Sequence, residues 1–367
     1  MISPTAAPPA RPVRSHLAAW LLAWIAVIVY VSLHPWSGWR VPGVPLLAFL
    51  SEPWPRYWTR LDLMMNLVAY VPLGLLGATW LARRLPTGAA AVTSVVCAGL
   101  LSCSLEALQT LLPARVSSLP DLLLNVAGAF VGALVVLVVG PRRLEALPIA
   151  IARALALAPG SGPGVLLLAA WLAVQCHPQS VAFASGELLP LLAGRFPALD
   201  GWLQSIRLSG EWQPVAEVCA IAATTLGVGL LARDLVRNHS RTAIALPIVL
   251  GALAKSAVSA NLLGARNALA WLSAGTQGGM LAGALLLVLG AWWRPRARLL
   301  TAIAALAIAT VLHNLLPPNV YFESTIAGWQ QGGWTNVNGL LRALAVVWPF
   351  AAIAWALWRL RQRRGIL

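Results

Sequence analysis

The stretch LPDLLLNVAGAFVGALVVLVVGPRR, Leu119–Arg143, decides the fold. A helix needs about 20 apolar residues to cross the hydrocarbon core of a bilayer. Leu119 to Val139 supplies that length, and its only acid and amide, Asp121 and Asn125, fall in the first two turns. The run then stops at Gly140-Pro141 and meets Arg142 and Arg143. Asp121, Asn125, Gly128 and Gly132 are spaced four, three and four apart, so one helix face carries them all. The stretch therefore predicts a membrane span with a wet end, a cationic end and a seam of small residues.

The remainder of the chain repeats that pattern. Of 367 residues, 59% are apolar and 10% charged, with a mean hydropathy of +0.77. Soluble domains carry about 25% charged residues. The composition excludes a soluble fold, and also disorder, which needs low hydrophobicity and high charge. Ten spans are expected, near Leu17–Leu33, Leu61–Leu81, Gly88–Leu112, Leu119–Val139, Gly164–Ala182, Pro214–Ala232, Ala243–Leu263, Ala268–Trp293, Leu299–Leu316 and Val337–Leu357. The expected fold class is all-α: a polytopic transmembrane helix bundle.

Arginine clusters fix the expected orientation. They precede span one and follow spans two, four, six, eight and ten, from Arg11 and Arg14 to Arg363 and Arg364. Seventeen of the 26 basic residues fall on this one side, which the positive-inside rule makes cytoplasmic. Only Glu145 and Asp234 among the acids share it, so the whole net charge of +15 is a topology signal and needs no nucleic-acid partner. The expected location is a bacterial inner membrane, with both termini cytoplasmic. Residues 1–16 read as a disordered tail, span one as a retained signal anchor, and residues 359–367 as a basic tail. Trp36, Trp39, Trp54, Tyr57, Trp58, Trp202, Trp212, Trp329 and Trp334 occupy the opposite loops, where indole rings favour the interface. Cys97, Cys103, Cys176 and Cys219 read as buried thiols.

An internal repeat is expected as well. LLPAR at Leu111–Arg115 recurs as LLGAR at Leu262–Arg266, and GAFVGAL at Gly128–Leu134 as GMLAGAL at Gly279–Leu285. Both pairs are offset by 151. The reading divides the chain into a first four-span copy, residues 17–140, a degenerate parallel second copy, residues 160–293, and a partial third of two spans, residues 299–358.

Ionisable residues inside spans are functional candidates by default. Asp62 and Asn66 share a face near the start of span two, Glu106 and Gln109 lie near the end of span three, and Asp121 and Asn125 open span four. Arg115 occupies the loop between spans three and four. All lie at similar depth near the outer face, so convergence into one ligand-binding site is expected. In the second copy Glu106 aligns with Ala257, Gln109 with Ala260, Asp121 with Leu272 and Asn125 with Thr276, while Gly128 and Gly132 persist as Gly279 and Gly283. The second copy thus keeps the packing glycines and drops most of the polar set. Gly74 joins the packing group. Lys255, the lone lysine, reads as paired with an acid such as Glu217 or Glu106, or as snorkelling outward. His34, His177 and His313 recur at span ends and read as interfacial caps. No metal site and no cofactor motif is expected.

The pieces NLVAYVPLG at Asn66–Gly74, SLEALQ at Ser104–Gln109 and ARVSSLPDLLLNVAGAFVG at Ala114–Gly132 resemble the VanZ-like family of bacterial membrane proteins. The family pattern has an N-x(5)-P-x-G helix, a span ending S-x-x-E-x-x-Q, and an R-x-x-D-x-x-x-N-x-x-G-x-x-x-G run. Here Arg115 lies six residues before Asp121 instead of three. The family's named member is associated with teicoplanin resistance, so the resemblance implies a cell-envelope role. The expected function is binding or handling an envelope lipid, its headgroup or a lipid-linked precursor, with consequences for the envelope or for glycopeptide susceptibility. A lipid or solute transporter or flippase is the alternative, and a membrane-embedded acid/base enzyme the second alternative.

Overall fold

The computed structural model describes residues 17–34, 36–41, 43–52, 60–177, 179, 181–189, 192, 196, 198, 200–208, 210–237, 240–290, 292–317 and 334–363, with side chains at 60–63, 200, 203 and 334–340 left aside. The expected tail 1–16 and the interfacial residues Trp54, Tyr57, Trp58 and Trp329 lie outside this set, as do the side chains of Asp62 and Trp334. The described chain is helical: α1 Leu17–Leu33, α2 Arg60–Leu81, α3 Thr87–Gln109, α4 Leu119–Val139, α5 Pro141–Ala154, α6 Gly162–Gln175, α7 Asp200–Ser205, α8 Gln213–Leu235, α9 Arg241–Leu263, α10 Ala274–Gly290, α11 Pro295–Leu315 and α12 Trp334–Gln362. Among the described residues the only extended pairing is an isolated bridge of Leu157 with Val236.

Every expected span falls on a helix. Seven helices are long and apolar enough to cross a membrane, and α1, α6 and α10 are shorter apolar helices of 10–17 residues. Two ends differ from the sequence reading. The fifth span stops at Gln175, because the chain turns at Cys176 and His177 ahead of Pro178. The eighth begins at Ala274 instead of Ala268, because Ser273 accepts a hydrogen bond from the Thr276 N–H and caps the helix there. The C-terminal residues 359–362 continue α12 instead of forming a separate tail. One helix was not expected: α5 carries Arg142, Arg143, Glu145 and Arg153 beside Leu147, Ile149 and Ile151, and none of its residues is buried. Its Leu144 packs against the cluster of Ala78, Ala91, Ala133 and Val136 and its Glu145 pairs with Arg83 at 2.9 Å, so one side is anchored while the exposed remainder of a short mixed-face helix suits the plane of a membrane surface.

Contacts divide the chain into two units, Met1–Ala150 and Ile151–Leu367, with the boundary inside α5. In the first unit α4 lies along α2, and α3 packs on both. Glycines set the approach. A Cβ on Gly128 would overlap the Leu67 carbonyl, one on Gly132 the Val71 carbonyl, and one on Gly74 the Ala129 backbone. Lipid tails are as apolar as leucine, so helices in a bilayer associate through such close van der Waals contact. The opposite face of α4 presents Leu123, Phe130, Leu134, Leu137 and Val138 outward, while Asn125, Gly128, Gly132 and Val136 face inward. Small and polar inside, large and apolar outside is the arrangement a bilayer favours.

The second unit is built around α8. From Ala220 to Leu235 every residue except Ala223 is buried, so this helix is covered on all sides. Helices α10, α11, α9 and α6 surround it. A Cβ on Gly279 would stand 2.8 Å from the Val218 carbonyl oxygen, and one on Gly283 2.7 Å from that of Ala222. Both contacts repeat the Gly128–Leu67 and Gly132–Val71 contacts of the first unit at an offset of 151 on each helix. On the other side of α8, α12 packs on α6 and α11. Trp348 donates its indole N–H to the Leu167 carbonyl at 2.6 Å, and Trp171 stacks among Phe183 and Trp348. At one end of this unit Asp234, with its side chain fully buried, receives Arg359 and Arg363 at 3.2 and 2.6 Å.

Candidate functional site

The site in the first unit forms where α3 hands the chain to α4. Ser118 has extended backbone angles, φ −147° and ψ 144°, and its hydroxyl accepts from the Asp121 N–H at 3.3 Å, capping α4. Pro120 sits in the first turn, where a missing N–H costs nothing. Asp121 is the acid of that turn, favoured by the helix dipole. Glu106, 4% exposed in the penultimate turn of α3, accepts from the Ser118 N–H at 3.0 Å. The connection is thus closed by a carboxylate on one side and a hydroxyl on the other.

Helix α2 adds Asn66, whose amide donates to the Asp121 carboxylate. One turn further into α4, Asn125 is 6% exposed and donates to the Ser102 hydroxyl at 2.9 Å. Its amide oxygen is buried and, among the described residues, makes no hydrogen bond. Tyr70 lies beside Ser102. The structure therefore gathers Asn66, Glu106, Asp121 and Asn125 into one cluster and adds Ser102, Ser118 and Tyr70, which the sequence reading did not single out. For Ser118 a signal existed, since S-x-x-D ahead of an apolar run is a helix-start pattern. Ser102 and Tyr70 are ordinary residues of a span and carry no such signal.

Gln109 and Arg115 turn toward α1. Gln109 donates to the Ser32 carbonyl at 2.9 Å. The Arg115 fork reaches Val31 O at 2.5 Å and His34 O at 3.2 Å. These are carbonyls that the end of α1 leaves without an intrahelical partner. Burial pulls the Arg115 guanidinium below its usual pKa, and the carboxylates of Glu106 and Asp121 act in the opposite sense. Arg115 thus fastens α1 while lying within electrostatic reach of both acids. Two carboxyl groups, an amide oxygen with no donor among the described residues and a single guanidinium make a site that accepts hydrogen bonds. Its matching ligand group is an ammonium or a set of hydroxyls.

In the second unit three expectations change. Lys255 does not snorkel: it is 4% exposed and donates to His177 O at 2.9 Å and Gln179 Oε1 at 2.8 Å. His313 is not an interfacial cap, since it is buried at 5% exposure beside Ser185. The polar set has also changed helices. Glu217, 151 residues after Asn66, accepts from Ser273 at 2.5 Å and from Thr276 at 3.3 Å. In the first unit the acid of this helix pair is on α4, whereas here it is on α8. Cys97 and Cys219 are exposed, not buried, and Cys103 and Cys176 are half-buried.

Residues 17–140 match the family model VanZ/LLP1. No curated protein and no solved structure matches the chain.

Proposed function

We propose that the chain is a VanZ-like membrane protein whose first unit, matched to the VanZ/LLP1 family model over residues 17–140, binds the headgroup of an envelope lipid or lipid-linked precursor at the Asn66, Glu106, Asp121 and Asn125 cluster. One observation carries this reading: the Asn125 amide oxygen is buried and, among the described residues, has no donor. A buried acceptor left unpaired costs about 1–3 kcal/mol, and a ligand that supplies an N–H or O–H recovers that cost. The family's association with glycopeptide resistance supports a ligand from the cell envelope, at the outer leaflet in the orientation that the arginine clusters favour.

Glu106→Gln with Asp121→Asn is the test. Both replacements keep the size of the side chain, and the Gln oxygen still accepts from Ser118. Native mass spectrometry of the purified protein should show a lipid-derived adduct on the wild type that the double variant loses. Cells carrying the double variant should lose any envelope or glycopeptide phenotype that the wild type confers. Identical adducts and identical phenotypes in a folded variant sink the reading.

A further inference from the structure

We propose that the arginine-rich end of the second unit binds the phosphate of an anionic membrane lipid. The site is built from Arg359 and Arg363 of α12, in front of Arg298 of α11 and Arg233 of α8.

These arginines do more than mark one face of a membrane. An arginine that only sets topology stands in water or among headgroups, whereas Arg233 and Arg298 are 5% and 7% exposed. LAR at Leu81–Arg83 recurs at Leu231–Arg233, yet the two arginines have different settings. Arg83 is exposed and pairs with Glu145 at 2.9 Å. Arg233 is buried, and Arg298 lies within electrostatic reach of Arg233, Asp234 and Arg363. Asp234 is the only acid at this end among the described residues of the second unit, so one carboxylate serves four guanidiniums. Arg298 also stands in the first turn of α11, at the positive end of the helix dipole. Burial, like charge and a helix N-terminus all oppose a cation there. The end of the unit therefore carries a concentrated positive potential that an anion relieves.

The donors that would meet the anion are already held in place. The buried Asp234 carboxylate accepts from Arg359 Nε and Nη2 at 3.3 and 3.2 Å, and from Arg363 Nη2 at 2.6 Å. Arg359 is fixed further by the Trp355 ring, 5.8 Å from its guanidinium carbon. A guanidinium carries five N–H donors. The bonds to Asp234 leave Arg363 its Nε and Nη1 and leave Arg359 its Nη1, on side chains that are 27% and 14% exposed. Two rigid forks with donors to spare match the oxygens of a phosphate and lose little freedom on binding it. Exposed indoles set the depth. Trp293, whose carbonyl accepts from Arg298 at 3.1 Å, and Trp358, next to Arg359, are both exposed. Indoles favour the headgroup layer, and basic clusters between helices at that depth suit an acidic lipid.

The experiment uses the full-length protein in vesicles of phosphatidylglycerol and phosphatidylcholine in equal amounts, followed by gentle extraction and native mass spectrometry. Each variant is made in the wild-type chain and in the Glu106→Gln, Asp121→Asn background, so that lipid held by the first unit is read separately. The wild type is expected to retain phosphatidylglycerol over phosphatidylcholine, whose choline would face the arginines. Arg363→Gln removes one fork while Arg359 stays on Asp234, and lowers retention of phosphatidylglycerol about tenfold or more, the size of one hydrogen bond to a charged group. Arg361→Gln removes the same charge from an exposed position two residues away and changes retention by about twofold at most. Arg363→Lys keeps the charge and a donor for Asp234 but loses the fork, so its retention falls between the two. Inorganic phosphate added as competitor leaves the lipid in place. Equal losses in Arg361→Gln and Arg363→Gln overturn the proposal, as does a wild type with no preference for phosphatidylglycerol. Full displacement by inorganic phosphate overturns the lipid assignment in favour of a soluble anion. If Arg363→Gln does not fold, Arg363→Lys decides, and retention equal to the wild type then overturns the proposal.

Discussion

Replacing Gly128 by alanine tests the link between helix packing and the polar site. The new methyl group would overlap the Leu67 carbonyl oxygen and meet Tyr70 Cβ at 3.1 Å. Carbon and carbonyl oxygen normally rest about 3.3–3.6 Å apart, so α2 must back away from α4 by about 1 Å or more. Overpacking of this kind costs about 1–3 kcal/mol. The same two helices carry the Asn66–Asp121 hydrogen bond, with Asp121 about two turns before Gly128 on α4 and about three before Gly132. Its loss adds about 1.5–3 kcal/mol, because the acceptor is charged. Gly88→Ala is the control, with open space around its Cβ in the first turn of α3 and a gain of about 0.8–1.0 kcal/mol in helix propensity at most. The assay is thermal unfolding in detergent followed by loss of monodisperse protein, with lipid adducts measured on the surviving fraction. Gly128→Ala should fall well below the wild type in both, and Gly88→Ala should match or exceed it. A Gly128→Ala protein as stable as wild type with full lipid retention refutes the claim that backbone contact between α2 and α4 positions the site.

Other outcomes follow from individual contacts. Arg115→Lys keeps the charge but cannot fork between Val31 and His34, and hydrogen exchange of residues 28–34 should quicken by about fivefold to tenfold for a loss of about 1 kcal/mol; unchanged exchange there would count against its role in fastening α1. Asn314→Asp sets a carboxylate oxygen against the Gly186 and Thr310 carbonyls, so residues 184–189 should lose protection before the rest of the second unit, at a cost of about 2–4 kcal/mol. Asp234→Asn leaves Arg359 and Arg363 without their buried partner, a loss of about 3–5 kcal/mol, and the end of α12 should become sensitive to trypsin while the first unit stays intact. Gly283→Ala should destabilise the second unit less than Gly128→Ala does the first, because its Cβ stands 2.7 Å from the Ala222 oxygen and needs a shift of only about 0.6 Å to reach normal contact.

The spans were legible because hydrophobic length is a local property of the chain. Their ends were less so, since caps decide them: Ser273 starts α10 six residues later than the apolar run suggests, and only the fold reveals which serine is used. Helix α5 escaped because Pro148 and four charged residues interrupt its apolar pattern, and none of its residues is buried. In the site, Glu106, Asp121, Asn66 and Asn125 were found from spacing, because residues four apart on neighbouring helices converge by geometry alone. The direction of Gln109 and Arg115 was not legible, since it depends on where α1 ends in space. Glu217 was read only as a possible partner of Lys255, because a single offset along α4 and α10 revealed what had been lost on that helix, while the acid stands on α8 and pairs with Ser273 and Thr276.

The enclosure of α8 from Ala220 to Leu235 has a consequence for the order in which the protein is made. A ribosome delivers the first unit's helices in sequence, and once α4 has emerged each of α1 to α4 has its packing partners. Of the helices that pack on α8, only α6 precedes it in the chain, and its Gly227 faces Leu306 of α11, some eighty residues downstream. Its small residues offer lipid little to grip. During synthesis α8 is therefore a groove awaiting its walls, and the second half of the protein is completed from its far end backwards.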